Sequence, residues 1–287
     1  MVKIVRILMV GAHRIGNACL SLKFDNNLNK FDQTIVVSPL PADRINRLFR
    51  TYNIDTTRFE YITDYELLAQ YPAIATWHLG GDYRGSWLLQ QAMKLHMLDH
   101  VDADVMFIQD ADSFCAEPYD CVVDGKLNLF HLPNTSHTWE YYRAFENITA
   151  LTRQTPHCFV CDMMPIFKTD WDTLKTSTVE KFNKSWIEVF LDQTPWDYVA
   201  NVKWFSEYEL LANWAVSQHS QYQLTEQVRF EFKSIEQLTH NDFPSSFNCI
   251  SDKSPQGRIL PFDYGTDTVM NLDLVLDRFQ RMGLLLD

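Results

Sequence analysis

Two aspartates separated by one residue, Asp110 and Asp112, are the side chains of this sequence best suited to hold a metal ion. They follow the apolar run Val105–Ile108, which is typical of a buried strand in an α/β sheet. Acids at the end of such a strand lie at the carboxyl edge of the sheet, where open α/β folds bind ligands. Because two carboxylates this close repel each other, a cation between them is favourable. Mg²⁺ and Mn²⁺ prefer oxygen ligands and often bring a phosphate-bearing substrate with them.

The same Asp-x-Asp triplet also occurs in solvated turns, and three kinds of metal or phosphate site contain it. An EF-hand loop beginning at Asp110 needs oxygen ligands at its fifth and twelfth positions, which are Phe114 and Cys121. An aspartyl-phosphate phosphatase usually has its nucleophile near the N-terminus and a small hydroxyl residue where Phe114 stands. The third kind is a nucleotide-sugar site, in which the acids hold a metal on a diphosphate. That site needs basic and polar groups nearby.

A predicted helix just before the strand, residues 87–100, supplies such groups. Arg84, Gln91 and Lys94 fall on one side of it, within about a quarter-turn of each other at roughly 100° per residue. Because the helix directly precedes the acids, we expect this side to face the same cleft and to bind phosphate. A solvated helix face that carries ordinary charges is the alternative.

Composition limits the class of protein. Of the 287 residues, 46% are hydrophobic and 14% aromatic, which is enough for a large core. The net charge of −12 argues against broad electrostatic binding to nucleic acid or to an anionic membrane. No apolar run has the length of a membrane span, and residues 1–10 lack the core of a signal peptide. We therefore expect a soluble cytoplasmic protein (in the host cytoplasm if it is viral) whose six cysteines are reduced.

The order of elements predicts the fold class. Alternating patterns predict strands at 3–10, 33–38 and 58–62 and helices at 17–29, 42–51 and from 64. This rhythm is typical of a parallel, doubly wound sheet. Further strands are expected at 127–131 and 229–232, and further helices at 138–150, 171–190, 205–218 and 271–286. The loop at 11–16 lacks the full Gly-x-Gly-x-x-Gly pattern, so a dinucleotide cofactor is not expected.

Three short blocks carry a resemblance to a known class of enzymes. They are Gly85-Ser-Trp-Leu-Leu-Gln-Gln-Ala-Met-Lys94-Leu, Phe107-Ile-Gln-Asp-Ala-Asp112 and Phe205-Ser-Glu-Tyr-Glu-Leu210. Together they resemble GT-A-type glycosyltransferases, and most closely a bacterial and viral family with Gln-Gln-x-x-Lys, Asp-Ala-Asp and Ser-Glu-Tyr-Glu blocks in this order. The resemblance covers roughly residues 75–215. It departs from the family in the loop after the first strand, at residues 11–14.

This resemblance implies a single GT-A-like domain over residues 1–287, with a mostly parallel sheet flanked by helices and a C-terminal elaboration on the acceptor side. Residues 1–125 would bind nucleotide sugar and metal. Residues 126–287 would form the acceptor-binding half and a C-terminal helix. The implied reaction moves a sugar from a UDP- or GDP-sugar to a hydroxyl of a glycan or another acceptor.

On the donor side, the resemblance implies that Asp110 and Asp112 hold Mn²⁺ or Mg²⁺ on the diphosphate, which stabilises the leaving group. His240 is the best-placed late residue for a further metal ligand. The residues expected to contact the donor are His13, Arg14, Arg84, Gln91, Lys94 and Asp110.

On the acceptor side, His157 and Trp196 are expected to contact the acceptor. Ser206 and Glu209 have the spacing of a capping box at the start of a helix, which explains both residues without chemistry. Glu207 is not needed by that cap, and it is the first candidate for the base that deprotonates the acceptor hydroxyl. Asp162 is the next.

Two other functions remain open. A sugar nucleotidyltransferase also uses paired acids, but its usual Gly-rich basic loop after the first strand is missing here. A non-catalytic nucleotide- or carbohydrate-binding protein of the same fold would not hydrolyse a nucleotide sugar, and an enzyme would. Cys158 and Cys161 have redox or zinc spacing, but no second pair follows, so we expect core residues.

Overall fold

The structure of the chain is a computed structural model. It describes residues 2–12, 14–28, 31–64, 69, 83–132, 139–153, 155–194, 196–197, 202–203, 205–218, 222–232, 248–252, 259–260 and 270–281. The strands are β1 (Ile4–Met9), β2 (Gln33–Ser38), β3 (Phe59–Thr63), β4 (Val105–Asp110), β5 (Ser113–Cys115), β6 (Val122–Val123), β7 (Lys126–His131), β8 (Met163–Phe167), β9 (Trp196–Asp197), β10 (Val202–Lys203), β11 (Tyr222–Glu226), β12 (Arg229–Phe232), β13 (Cys249–Asp252), β14 (Ile259–Leu260) and β15 (Met270–Asn271).

The helices agree with most of the predicted ones. They are α1 (Ile15–Leu28), α2 (Ala42–Thr51), α3 (Tyr83–His100), α4 (Trp139–Thr149), α5 (Lys168–Phe182), α6 (Trp186–Gln193), α7 (Glu207–Gln218) and α8 (Leu272–Arg281). Most of the helix predicted from residue 64, and the end of the one predicted to reach 286, lie outside the described residues. Within the part of the chain that the structure describes, no helix is both long and apolar enough to cross a bilayer.

The central sheet confirms the predicted fold class. Its five strands have the order β3-β2-β1-β4-β8, and β2 and β3 pair in parallel with Thr34 opposite Phe59. Strands β1, β2 and β4 are almost wholly buried, as parallel strands covered by helices on both faces must be, and the edge strand β3 is only partly buried. The order reverses between β1 and β4, and open α/β sheets bind ligands at the carboxyl ends of strands at such a point.

The chain divides into two compact units that are discontinuous in sequence. The first consists of residues 1–5, 64–108 and 121–226, and the second of residues 6–63, 109–120 and 227–287. This grouping differs from the halves expected to meet at residue 125, and the single GT-A-like domain stays a prediction. In the second unit, α8 joins the core: the Phe279 ring lies 6.5 Å from that of Phe114 and 6.2 Å from that of Phe232.

One predicted helix is wrong. The pattern over residues 171–190 favours a single helix, but the structure has α5 and α6 with a break between them. Asn183 ends α5 in the left-handed region at φ 50°, a conformation that Asn tolerates better than most residues. Ser185 and Glu188 then form a capping box that starts α6. Because both signals are local, the break between α5 and α6 could have been predicted from the sequence.

Candidate active site

Asp110 and Asp112 lie on either side of a tight turn at the carboxyl end of β4. Asp110 is the last residue of the strand, and Asp112 belongs to the turn that leads into β5. Between them Ala111 is only 3% exposed, and its N–H donates to the Met9 carbonyl at 3.2 Å. The pairing with β1 thus continues past the end of β4 and fixes the backbone between the two acids. Both carboxylate-bearing residues are half-buried.

The loop after β1 brings a cation to this turn. A guanidinium nitrogen of Arg14 lies 3.6 Å from a carboxylate oxygen of Asp112, and their side chains are 35% and 21% exposed. Two backbone bonds hold Arg14 there: its N–H donates to the Gly11 carbonyl at 2.8 Å, and its carbonyl accepts from the Ala18 N–H at 2.9 Å. A cation at this distance lowers the repulsion between the two acids. His13 lies outside the described residues.

A buried glutamine, which sequence reasoning missed, supports the same turn. Gln109 is fully buried, and its amide nitrogen donates to the Ser21 hydroxyl and to the Ser113 carbonyl, both at 2.9 Å. These bonds tie the residue before Asp110 to α1 and to the residue after Asp112. A polar residue between the apolar run of β4 and the first aspartate was the signal that could have revealed it.

The donor chemistry of this turn fits a hard divalent cation. Asp110 and Asp112 offer carboxylate oxygens, the ligands that Mg²⁺ and Mn²⁺ prefer, and Mg²⁺ commonly uses one or two carboxylates and completes its shell with water and substrate phosphate. Among the described residues, no group of three or more His, Cys, Asp and Glu side chains converges for a metal. His240, the predicted further ligand, lies outside them.

Three other predicted site residues meet in the interior of the first unit. The Lys94 ammonium lies 2.6 Å from a carboxylate oxygen of Glu207, and the two side chains are 1% and 0% exposed. The side-chain amide of Gln91 lies against the same carboxylate. Tyr208 completes the cluster, since the ammonium lies 4.4 Å from its ring centroid. The structure brings together a predicted base and a predicted phosphate ligand as a buried ion pair, and both roles stay predictions.

Glu209 does not form the expected capping box. Ser206 caps α7 as predicted, because its hydroxyl accepts from the Glu209 N–H at 3.3 Å. The Glu209 carboxylate turns away from the cap and accepts from the Phe159 N–H and from the Asn213 amide, each at 2.9 Å. Burial raises the pKa of Glu209, and the Phe159 N–H works against that shift. The residue therefore ties α7 to the loop between α4 and β8.

That loop carries His157 and Asp162, both half-buried. The rings of His157 and His131 lie 4.1 Å apart, and an Arg153 guanidinium nitrogen donates to the His157 carbonyl at 2.8 Å. Burial, and then the neighbouring His157, lowers the pKa of His131. Asp162 adopts φ 59°, a left-handed conformation that Asp tolerates.

The remaining predictions have different outcomes. Cys158 and Cys161 are fully buried thiols, as expected of core residues. Trp196 lies on β9, which pairs with β10, and Arg84 lies in the first turn of α3. The side chains of these last two lie outside the part that the structure describes.

The sequence matches no protein-family model and no curated protein. Its fold matches solved glycosyltransferases over nearly the whole chain. Mouse xyloside xylosyltransferase 1 in its apo form has a TM-score of 0.51 at 8% identity, with 89% of this chain and 99% of that chain covered. The galactosyltransferase LgtC, solved with donor and acceptor sugar analogues, has a TM-score of 0.50 at 9% identity, with 96% and 95% covered. An active-site mutant of LgtC has the same TM-score at 10% identity. The chain therefore has a GT-A-type fold.

Proposed function

We propose that this protein is a metal-dependent glycosyltransferase that moves a sugar from a nucleotide-sugar donor to an acceptor hydroxyl. The observation that carries the proposal is the Asp110–Asp112 turn at the carboxyl end of β4, within a fold matched by solved glycosyltransferases over 89% or more of the chain. The carboxyl edge at the point where strand order reverses is where such a sheet binds its ligand.

In this proposal, Asp110 and Asp112 hold Mn²⁺ or Mg²⁺, which supplies positive charge for the leaving diphosphate. Arg14 supplies a second positive charge beside Asp112. The 3.6 Å separation between its guanidinium nitrogen and the Asp112 carboxylate is longer than the roughly 2.7–2.9 Å of a close charged hydrogen bond. The planar guanidinium suits the paired oxygens of a phosphate.

For the base, Asp162 is favoured by its accessibility. Glu207 is 0% exposed and paired with Lys94, so an acceptor would reach it only after a buried ion pair opens. Asp162 is half-buried, on the loop that also carries the predicted acceptor contact His157. Asp162→Asn keeps the left-handed backbone, because Asn tolerates φ above zero. We expect it to bind donor normally and to lose roughly 10²–10⁴-fold in transfer rate.

Rate measurements at saturating donor test this assignment, with Glu207→Gln beside Asp162→Asn. A transfer defect confined to the glutamine variant, measured at a temperature at which both variants are folded, would return the role to Glu207.

The metal proposal is tested by thermal shift and donor hydrolysis with a panel of UDP- and GDP-sugars, with and without Mn²⁺. We expect Asp110→Asn and Asp112→Asn to remove the metal-dependent stabilisation by donor. Asp102→Asn is the matched control, because Asp102-Ala-Asp104 repeats the same triplet before β4, and Asp102 is fully exposed beside Lys3. Metal-dependent donor binding that survives in both site variants would contradict the proposal.

The same assays separate the two alternatives once a nucleoside triphosphate and a sugar phosphate are added to the panel. A nucleotidyltransferase would form nucleotide sugar from a nucleoside triphosphate and a sugar phosphate. A binding protein would gain stability from the donor and hydrolyse none of it.

A further inference from the structure

Strand β13 brings a second pair of side chains to the segment that follows Asp112. It pairs antiparallel with β5 in the same unit, with Cys249 opposite Cys115 and Ser251 opposite Ser113. The Ala116 N–H donates to the Asn248 carbonyl at 3.1 Å. The Cys249 N–H points the other way, toward Val228 on the β12 side, at 3.2 Å. In this ladder Cys115 and Cys249 form a non-hydrogen-bonded pair.

Such a pair has the separation that a disulfide needs. Opposite residues of a non-hydrogen-bonded pair lie about 4.5 Å apart at Cα, with their side chains on the same face. A disulfide spans Cα separations of about 4.4–6.8 Å. The neighbouring opposite pair shows that side chains meet across these two strands, since the Ser113 and Ser251 hydroxyls lie 2.8 Å apart. That pair occupies the same face, two residues along each strand.

The other closely spaced cysteines, Cys158 and Cys161, lie on one loop and do not face each other across paired strands, whereas the Cys249 thiol, 3.6 Å from the Ile250 carbonyl, lies on a strand directly opposite Cys115. The Cys161 thiol is directed at the backbone carbonyl of Cys158, at 3.9 Å. All six cysteines are buried thiols, and Cys115 and Cys249 are 1% and 0% exposed. The cross-strand register therefore favours Cys115 and Cys249.

We propose that Cys115 and Cys249 form a redox pair that a small-molecule disulfide closes to an intramolecular disulfide. One thiolate attacks oxidised glutathione, forms a mixed disulfide and releases one glutathione thiolate. The second cysteine then attacks the protein sulfur of that bond and releases the other. Two cysteine thiols are oxidised to one disulfide, and the glutathione disulfide is reduced to two thiols. This inference does not depend on sugar transfer.

Burial and position give the reaction two further properties. Because both sulfurs are shielded, oxidation of the native protein requires local opening of β13 and is slow. The bond closes the chain from residue 115 to residue 249, which restricts the unfolded state and raises the melting temperature. It also ties the strand that leaves Asp112 to β13.

In the test, the full chain is equilibrated in glutathione buffers of increasing oxidised fraction. This is done with the native protein and during refolding from denaturant. Refolding exposes both thiols and so removes the kinetic barrier that burial sets to oxidation. Alkylation and mass spectrometry count the remaining thiols, and peptide mapping locates the bond. We expect loss of two of the six thiols, a peptide pair containing Cys115 and Cys249, and a higher melting temperature that dithiothreitol reverses.

Cys115→Ser and Cys249→Ser are the matched controls, because serine already occupies the equivalent positions of the neighbouring pair. Each should lose the cross-link and the rise in melting temperature. Six thiols at every glutathione ratio after refolding, a bond between Cys158 and Cys161, or glutathione adducts without a cross-link would each overturn the proposal.

Discussion

At the scale of single residues, the buried ion pair between Lys94 and Glu207 allows a structural role of Lys94 to be distinguished from a role in binding phosphate. An ion pair taken out of water is stabilised only while both partners are present, because either charge alone is costly in the interior. A phosphate ligand on an open surface would have no such dependence. Stability measurements can therefore test the position of Lys94 without any substrate.

We predict that Lys94→Met lowers the free energy of unfolding by about 3–5 kcal/mol, because it leaves the Glu207 carboxylate buried without its cation. The double variant Lys94→Met, Glu207→Gln should recover part of that loss, since it removes both charges. Urea unfolding measures both effects.

The matched control for this prediction is Lys175→Met. Lys175 lies 2.7 Å from Asp99, but their side chains are 33% and 19% exposed. Solvent screens that pair, so we expect a loss of about 1 kcal/mol or less. Equal losses in the two lysine variants would mean that burial does not govern the Lys94 contact.

At the scale of secondary-structure elements, α3 holds an uncharged histidine in its buried face. His96 is 5% exposed, and burial, followed by the neighbouring His100, lowers its pKa from 6.5 to about 4. The two rings lie 4.1 Å apart, one turn from each other along the helix. Between these two pKa values the unfolded chain binds a proton that the folded chain excludes.

We predict that the stability due to His96 is fully present above pH 6.5 and is lost as the pH falls toward 4. The loss is up to about 3 kcal/mol for a shift of this size. His96→Gln should flatten the dependence of the unfolding free energy on pH in this window. His100→Gln should keep most of it, since burial is the larger cause. An unchanged pH slope in His96→Gln would exclude this residue as its source.

Elements were predictable where the signal was local. Apolar patterns identified β1, β2, β3 and β4 of the central sheet but not β8, and Ser206 identified the start of α7. The break between α5 and α6 was equally local, but apolar residues on both sides of Asn183 favoured one continuous helix.

At the scale of the whole molecule, contacts between distant parts of the chain could not be predicted from the sequence. Local rules assign Glu209 to a cap, and only the fold brings the Phe159 N–H to its carboxylate. Likewise, the helix side that carries Lys94 was expected to face a cleft, and the structure turns it toward Glu207 in the interior. Periodicity predicts on which side of a helix a charged residue lies. It does not predict which distant element packs over that side.

The discontinuous second unit has a consequence for how the protein is made. Its core joins Leu8 and Val10 of the first strand region to Val275 and Phe279 of α8. Leu8 and Val10 are synthesised long before Val275 and Phe279. During synthesis, the early strands therefore lack the helix that covers them. Exposed apolar strands are the species that chaperones bind and that aggregate at high concentration. Folding of this unit is therefore completed only after translation has reached α8, and premature stop codons upstream of it are expected to yield insoluble fragments.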